Sequence, residues 1–388
     1  MRKKRNVAKA LIIITFCIIK VISTTGQATN ISSRGYRGDK ESFAAFKVKY
    51  GKEYWPEPEK IAYFDPDGTE PQVIRYAHWV PPQGNNKGVV VHFNGRTEFI
   101  EKNVYTYKDL LDKGFEVWAL DWRGQGFSKR QINDKQKHDI DSFDTYVKDA
   151  AYFIDKVTNT RTSTGKKVLL AHSMGGQIAL RYLLENPKTF DYAVLSSPLV
   201  GLPGDTWYIR AGNWLKKNTF FASSCVISKS PTWTDNFEGD NACSYVNSGS
   251  NNDDDLDEDQ KTKNYSNDLQ KVAEIDCLIE SSIDANGPEN PDLRVACPTT
   301  RWLYEAFEST EIVMKDAKKL ATPVLIVRTL PDTAVDNEAQ KKFCGLTDKC
   351  ELVDVTKIGG VQAGHELLIE IEDIRKEFLD HFDTFVSK

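Results

Sequence analysis

The sequence has few histidines and none of the paired cysteines that hold structural metals. Only six of its 388 residues are histidine, and none of its seven cysteines belongs to a Cys-x-x-Cys unit. No histidines cluster with the cysteines, which argues against a structural zinc site. The acidic run at 248–259 lacks the glycine and the terminal glutamate of a calcium-binding EF-hand loop. The sequence therefore predicts neither a metal nor a cofactor.

An excess of positive charge is also lacking. The formal net charge is −5, and residues 1–28 carry six basic side chains and no acidic one. Without those residues the charge would be −11. A chain with this net negative charge repels polyanions. Non-specific electrostatic binding to nucleic acid is therefore excluded.

Long apolar runs are missing except at the N-terminus. Arg2–Arg5 precedes the apolar stretch Ala10–Ile19, and small and polar residues follow. This order is typical of a secretory signal peptide, and the run is shorter than a comfortable membrane span. We expect a signal over 1–28, cleaved near Ala28, and a protein that is secreted or resides in the secretory pathway or periplasm. An uncleaved signal anchor that tethers the chain to the membrane is the alternative.

The cysteine count fits export. Loss of the signal removes Cys17 and leaves six cysteines, an even number that suggests disulfides in an oxidising compartment. A short gap after a predicted helix favours one pair, and proximity in sequence suggests two others. The expected pairs are Cys344–Cys350, Cys225–Cys243 and Cys277–Cys297.

Hydrophobic periodicity predicts an α/β fold, with a mostly parallel sheet covered by helices on both faces. Predicted strands cover 72–80, 89–93, 115–120, 168–171, 192–196, 323–328 and 351–356, and predicted helices cover 41–50, 99–111, 140–157, 175–184 and 371–385. The alternation stops after Pro198 and resumes at Pro323. We therefore divide the chain into an N-terminal extension (29–60), two parts of an α/β core (61–198 and 321–388) and a cap or lid insertion (199–320).

One serine lies where a buried strand meets a helix. Ser173 lies in Ala171-His-Ser-Met-Gly175, which differs at one residue from the Gly-x-Ser-x-Gly motif of a nucleophile elbow. Ala171 replaces the first glycine, and its methyl group still fits a sharp turn. The elbow would lift the Ser173 hydroxyl to the N-terminus of a helix, where developing negative charge is favoured. Ser173 is the predicted nucleophile.

A serine nucleophile needs an imidazole base and an acid that orients the base. Five histidines are set aside by their positions: His78 and His92 in strands, His138 in a charged loop, His172 pointing away from the serine, and His381 on the last helix. His365, in a loop before the last helix, is the predicted base. Asp332 follows the strand at 323–328 and is the predicted acid, with Asp336 as the alternative.

The oxyanion of an acyl intermediate needs two donors. One predicted donor is the backbone N–H of Met174, directly after the nucleophile. The other is the backbone N–H of Arg96, in the loop after the strand at 89–93, where Gly95 permits a turn.

Together these motifs resemble α/β-hydrolases of the lysophospholipase and monoacylglycerol lipase group. The residues that carry the resemblance are Asn94–Glu98, Asp121–Ser128, Ala171–Gly176, Pro323–Val327 with Asp332 and Asp336–Asn337, and Gly364–Glu366. Asn94-Gly-Arg-Thr-Glu98 is more similar to the lysophospholipase branch. The resemblance implies a serine ester hydrolase that acts on a single-chain lipid, with a lysophospholipid as the first expectation. A monoacylglycerol lipase or general carboxylesterase is the alternative, and a non-catalytic binding protein is a remote one.

The insertion contains an aromatic and basic stretch at 207–221. Two interpretations stay open for its tryptophans, Trp207 and Trp214. They pack in the core, which is the usual role of such aromatics, or they bind substrate on a lid that makes transient contact with a membrane surface.

Overall fold

The structure is a computed structural model of the chain. It describes residues 37–70, 73–82, 86–158, 164–204, 222–226, 268–286, 297–358 and 360–388, together with the single positions 214, 217, 219, 293 and 295. The signal at 1–28, Trp207, Cys243 and the acidic run at 248–259 lie outside the described residues.

An eight-stranded sheet forms the centre of the fold. The strands are β1 (Lys60–Phe64), β2 (Ile74–Trp79), β3 (Gly88–Phe93), β4 (Phe115–Leu120), β6 (Lys166–His172), β7 (Tyr192–Ser196), β9 (Val324–Thr329) and β10 (Cys350–Val355). They lie in the order β1-β2-β4-β3-β6-β7-β9-β10, and only the pairs β1–β2 and β2–β4 are antiparallel. Two small sheets pair β5 (Lys137–His138) with β8 (Cys297–Pro298) and β11 (Lys357–Ile358) with β12 (Val361–Gln362). The predicted fold class is confirmed.

Helices cover both faces of the sheet. They are α1 (Lys40–Lys49), α2 (Val104–Asp112), α3 (Phe143–Tyr152), α4 (Ser173–Glu185), α5 (Leu269–Asn286), α6 (Thr300–Asp316), α7 (Asn337–Gly345) and α8 (Glu372–Val386). Apolar side chains of α1, α2, α5 and α8 belong to one buried cluster, and those of α3, α4 and α6 belong to a second. Each face of the sheet therefore has its own core, as a mostly parallel sheet requires. No helix in the described ranges has the length and apolarity to cross a bilayer.

Two helices of the range 199–320 pack against the helices that cover the central sheet. In α5, Ala273 and Leu278 are buried in the same cluster as α2 and α8. In α6, Trp302 and Ala306 are buried with α3 and α4. The insertion thus contributes to both cores, which the weak periodicity of this stretch did not reveal.

The disulfides confirm one predicted pair and correct two. Cys344 is bonded to Cys350, whereas Cys225 is bonded to Cys297, with their Cα atoms 5.6 Å apart. The predicted pairs Cys225–Cys243 and Cys277–Cys297 are therefore wrong. The two bonded cysteines, Cys225 and Cys297, are 72 positions apart in the sequence. Backbone hydrogen bonds hold their segments together: the Val226 N–H donates to the Pro298 carbonyl, and the Thr300 N–H donates to the Ser224 carbonyl. Cys277 is also disulfide-bonded.

Three buried histidines make the fold sensitive to acid. Burial lowers the pKa of His92 to about 4 and holds the pKa values of His138 and His172 well below the usual range. The unfolded chain therefore binds more protons than the folded chain below about pH 6.5, and each such group lowers the free energy of unfolding by up to about 1.4 kcal/mol per pH unit. We expect urea stability to fall steeply between pH 6.5 and 4. His92→Asn should reduce this slope. Equal slopes for the original protein and His92→Asn would contradict the assignment.

Candidate active site

The turn at Ser173 joins β6 directly to α4. Ser173 has a φ of +49°, a left-handed conformation that is rare for a residue with a side chain. His172 ends β6 in an extended conformation, and Ser173 begins the helix. The predicted elbow is therefore present, and Ala171 is accommodated in it without exposure.

Ser173, His365 and Asp332 form one hydrogen-bonded chain. The His365 Nε2 atom lies 3.0 Å from the Ser173 Oγ, and its Nδ1 atom lies 2.7 Å from the Asp332 Oδ2. If Nδ1–H donates to the carboxylate, Nε2 is left as the acceptor that can take the serine proton. Ser173 and Asp332 follow strands β6 and β9 of the central sheet at their carboxyl ends, which is where ligands bind in such sheets, and His365 reaches them from the segment after the small sheet of β11 and β12.

The Asp332 carboxylate is held in its ionised form. Burial alone would raise its pKa, but the hydrogen bond and charge of His365, with N–H donors from Ala334 and Val335, place that pKa below the usual value. The alternative acid, Asp336, caps α7 by accepting hydrogen bonds from the N–H groups of Glu338 and Ala339. The structure therefore places Asp332, and not Asp336, beside the imidazole.

Two other histidines have positions that the sequence did not specify. His172 packs its ring 4.8 Å from the ring of His365, and its Nδ1 atom lies 3.1 Å from the Ser196 carbonyl. The same Nδ1 atom lies 3.3 Å from the Ser196 hydroxyl, so this edge of the ring faces the end of β7. His138 is not in an exposed charged loop: it is buried in β5, 2.9 Å from the Tyr146 hydroxyl.

The loop after β3, residues 94–98, carries the second predicted oxyanion donor, Arg96. Gln125 holds this loop from the side: its Nε2 donates to the Gly95 carbonyl at 2.7 Å and to the Glu98 carbonyl at 2.8 Å. The Thr97 N–H donates to the Gln125 Oε1 at 3.3 Å, and Thr97 has a φ of +65°. Gln125 is fully buried. The buried Gln125 amide thus holds the loop by three hydrogen bonds to its backbone.

Gly175 brings the elbow helix against that loop. A Cβ at this position would lie 2.2 Å from the Phe93 carbonyl oxygen and 2.4 Å from the Asn94 carbonyl oxygen. Both are backbone atoms, so the α4 N-terminus and the 94–98 loop would have to move apart. Met174, the first predicted oxyanion donor, is the residue before this contact and is fully buried.

Gly175→Ala is therefore expected to lower esterase activity by at least about 100-fold, because a displacement near 1 Å can cost that much. Gly204→Ala is the matched control, since a Cβ there meets nothing within 4 Å although its φ is +70°. Rates on a soluble ester, with circular dichroism to check folding, make the comparison. An active Gly175→Ala protein would show that the close contact is dispensable.

Sequence reasoning missed the buried polar side chains behind the histidine. Glu98, Lys102 and Glu366 are all buried, and Lys102 Nζ lies 2.5 Å from the Glu366 Oε1. Glu98 and Glu366 lie in the motifs 94–98 and 364–366, and neither motif assigns these side chains a function. A charged residue at the helical spacing of 98 and 102 ordinarily indicates a solvated surface. The signal was weak because nothing local showed that this turn is covered.

Trp214 is one of the few large apolar side chains that the structure exposes. It is 51% exposed. Three residues later, Lys217 forms an ion pair with Glu305 on α6. Its Nζ also lies 4.2 Å from the centroid of the Tyr304 ring on the same helix. The interpretation in which Trp214 packs in the core does not fit this exposure.

The chain is similar to one protein family and to several known hydrolases. The model of the family described as "Serine aminopeptidase, S33" matches residues 84–372. The chain is 27% identical over 322 residues to the probable lysophospholipase L2 of Haemophilus influenzae, which covers 81% of this chain and 88% of that protein. It is 25% identical over 308 residues to the lysophospholipase L2 of Escherichia coli K12, with 79% and 80% of the two chains covered.

Solved structures show the same fold. A soluble variant of the monoglyceride lipase of Saccharomyces cerevisiae aligns with a TM-score of 0.55 at 17% identity, covering 85% of this chain and 94% of that one. A thermostable carboxyl esterase of Bacillus coagulans aligns with a TM-score of 0.57 at 16% identity, covering 84% and 98%. The family model matches most of the sequence, and the fold has the mostly parallel sheet of α/β-hydrolases. The chain therefore belongs to the serine aminopeptidase S33 family of α/β-hydrolases.

Proposed function

We propose that this hydrolase cleaves the acyl ester of a single-chain lipid, with a lysophospholipid as the substrate, through an acyl-enzyme on Ser173. The observation that carries the proposal is the chain of two hydrogen bonds from the Ser173 hydroxyl through His365 to Asp332. The similarity to two lysophospholipases over about four-fifths of each chain supports the choice of substrate.

The mechanism follows from the direction of these hydrogen bonds. His365 Nε2 takes the proton of Ser173 as its Oγ attacks the acyl carbonyl, and Asp332 stabilises the resulting imidazolium through Nδ1–H. The backbone N–H groups of Met174 and Arg96 would hold the oxyanion of the tetrahedral intermediate. His365 then gives its proton to the leaving alcohol. The same imidazole deprotonates a water molecule that attacks the acyl-enzyme, and it then returns the proton to the Ser173 Oγ as the fatty acid leaves.

Export is part of the proposal. Disulfides at Cys225–Cys297 and Cys344–Cys350 are typical of an oxidising compartment. A signal over 1–28 would deliver the chain there, with membrane tethering by an uncleaved signal as the alternative. An exported esterase of this kind would meet its lipid at a membrane surface or in micelles.

Product analysis tests the choice of substrate. The purified protein is incubated with a lysophosphatidylcholine, a monoacylglycerol and a short-chain ester of equal concentration, and the released fatty acid is quantified. We expect the highest kcat/KM for the lysophospholipid. Preference for the monoacylglycerol would support the alternative of a monoacylglycerol lipase, and cleavage of the short ester alone would indicate a general carboxylesterase.

Trp214 is proposed to contact the lipid surface. Its exposure suits the boundary between head groups and acyl chains, which tryptophan side chains favour. Trp214→Ala should lower activity on micellar lysophospholipid by about tenfold and spare a short soluble ester, since burying an aromatic side chain contributes about 1.5–3 kcal/mol. Val48→Ala, at another exposed apolar position, is the control. Equal losses on both substrates would assign Trp214 to packing and not to the lipid surface.

A further inference from the structure

A buried lysine lies between the two loops that carry the predicted oxyanion donor and the predicted base. The side chain of Lys102 has no exposed surface, and its Nζ lies 2.5 Å from the Glu366 Oε1 and 3.4 Å from the Glu98 Oε1. Glu366 is the residue after His365, and Glu98 ends the 94–98 loop. One ammonium group therefore contacts a carboxylate from each side of the site.

The turn that carries Lys102 is itself firmly held. Residues Ile100–Asn103 form a short 3-10 helix before α2. The Ile100 N–H donates to the Asp121 Oδ1 at 2.8 Å, and Glu101 pairs with the fully buried Arg75. Lys102 thus projects from a fixed part of the fold and not from a loop that could follow its partners.

Glu98 passes this constraint to the 94–98 loop. Its Oε2 accepts a hydrogen bond from the Gly95 N–H at 2.5 Å, and Arg96 is the next residue. A Cβ at Gly95 would lie 2.8 Å from the His172 ring, so the loop is packed closely against the histidine that contacts His365. A shift of the Glu98 carboxylate would therefore move the backbone that precedes the Arg96 N–H.

A metal ion is the competing explanation for this cluster. Ligand atoms of Glu98, His172 and Glu366 lie within 4.8 Å of one another, and this is the one such group in the ranges that the structure describes. The Lys102 ammonium, however, already lies between the two carboxylates, where it supplies the positive charge that a cation would bring. A second cation there would add repulsion in a buried site.

We propose that Lys102 is a positioning residue, which couples the oxyanion loop to the histidine loop through its ion pairs with Glu98 and Glu366. The inference rests on the proposed function, because it assigns Lys102 a role in the same site. It acts on geometry: the distance between the Arg96 N–H and His365 is set by one shared ammonium. Such an effect belongs to the chemical step and not to substrate affinity.

The test compares Lys102→Met with Lys52→Met. Lys52 makes a second buried ion pair, 2.5 Å from Glu274, and neither residue belongs to the triad or to the 94–98 loop. The two side chains are 8% and 1% exposed. On a soluble short ester, Lys102→Met should lower kcat by about 100-fold and leave KM within about threefold. The rate of Ser173 labelling by a fluorophosphonate should fall in parallel. Lys52→Met should lower Tm and leave kcat within about twofold of the original value, because it removes only a structural ion pair.

A kcat within threefold of the original protein in folded Lys102→Met would overturn the proposal. So would an equal fall in kcat for both lysine variants, since that would show general destabilisation. If Lys102→Met does not fold, Glu366→Gln and Lys102→Arg replace it: the first should lower kcat without raising KM, and the second should retain more activity than the first. The reverse order would contradict the coupling. Failure of the proposed function itself is recognised separately, by esterase activity that survives in Ser173→Ala.

Discussion

Ser173→Ala is expected to abolish hydrolysis of every ester that the protein cleaves. A triad acts as a unit, and the loss of its nucleophile costs about 10⁶-fold in kcat in serine hydrolases of known mechanism. The hydroxyl lies 3.0 Å from His365 Nε2, so the serine can transfer its proton to the imidazole without a rearrangement of the site. Fatty acid release measured at high enzyme concentration gives the required range.

Controls for this variant come from the same chain. His365→Ala should lose activity to a similar extent, because the serine would then have no base. Ser142→Ala removes only the hydroxyl that caps α3, where it accepts from the Asp144 N–H. It should reduce stability by about 1 kcal/mol and leave kcat unchanged. Activity in Ser173→Ala above about one hundredth of the original would contradict the proposed mechanism.

Asp332→Asn is expected to lower kcat by about 10⁴-fold. The carboxylate accepts from His365 Nδ1 at 2.7 Å, which keeps Nε2 unprotonated and facing the serine. An amide at this position can donate to Nδ1, and the imidazole would then carry its proton on Nε2. The base would be present, in its correct place, with the wrong tautomer.

Asp336→Asn is the matched comparison. Asp336 accepts hydrogen bonds from Glu338 N–H at 2.8 Å and Ala339 N–H at 3.1 Å as the N-cap of α7. Asparagine caps a helix about as well as aspartate, so stability and kcat should both remain near the original values. An inactive Asp336→Asn beside an active Asp332→Asn would reverse the assignment of the acid.

Much of the fold could be predicted because the buried strands are uniform. Val89–Phe93 and Phe115–Leu120 are apolar along their length apart from one residue each, and every position of both strands is buried in the sheet. Their spacing with helices of period 3.6 is enough to indicate a parallel sheet. The edge strand β1 was missed because Lys60–Phe64 is only partly buried and has no clear alternation. Helices α5 and α6 were missed because they lie in a stretch where the strand pattern stops.

Only the part of the candidate site that lies in a local sequence motif could be predicted. Ser173 lies in a strand–turn–helix motif, and the structure brings Asp332 and His365 to it across the sheet edge, although their catalytic roles remain predictions. Lys102 and Glu366 are separated by 264 positions, and neither has a local signature. The disulfide at Cys225–Cys297 likewise depends on where the chain returns, and nearness in sequence does not report this.

The most direct test is to label the folded protein with a fluorophosphonate and to map the adduct by mass spectrometry. We expect one adduct per chain, on Ser173, at a rate that falls with Asp332→Asn and is unaffected by Asp336→Asn. We also expect a lysophospholipid to slow the labelling by competition. No labelling of folded protein would favour a non-catalytic binding protein, and an adduct on any other residue would contradict the assignment of Ser173 as the nucleophile.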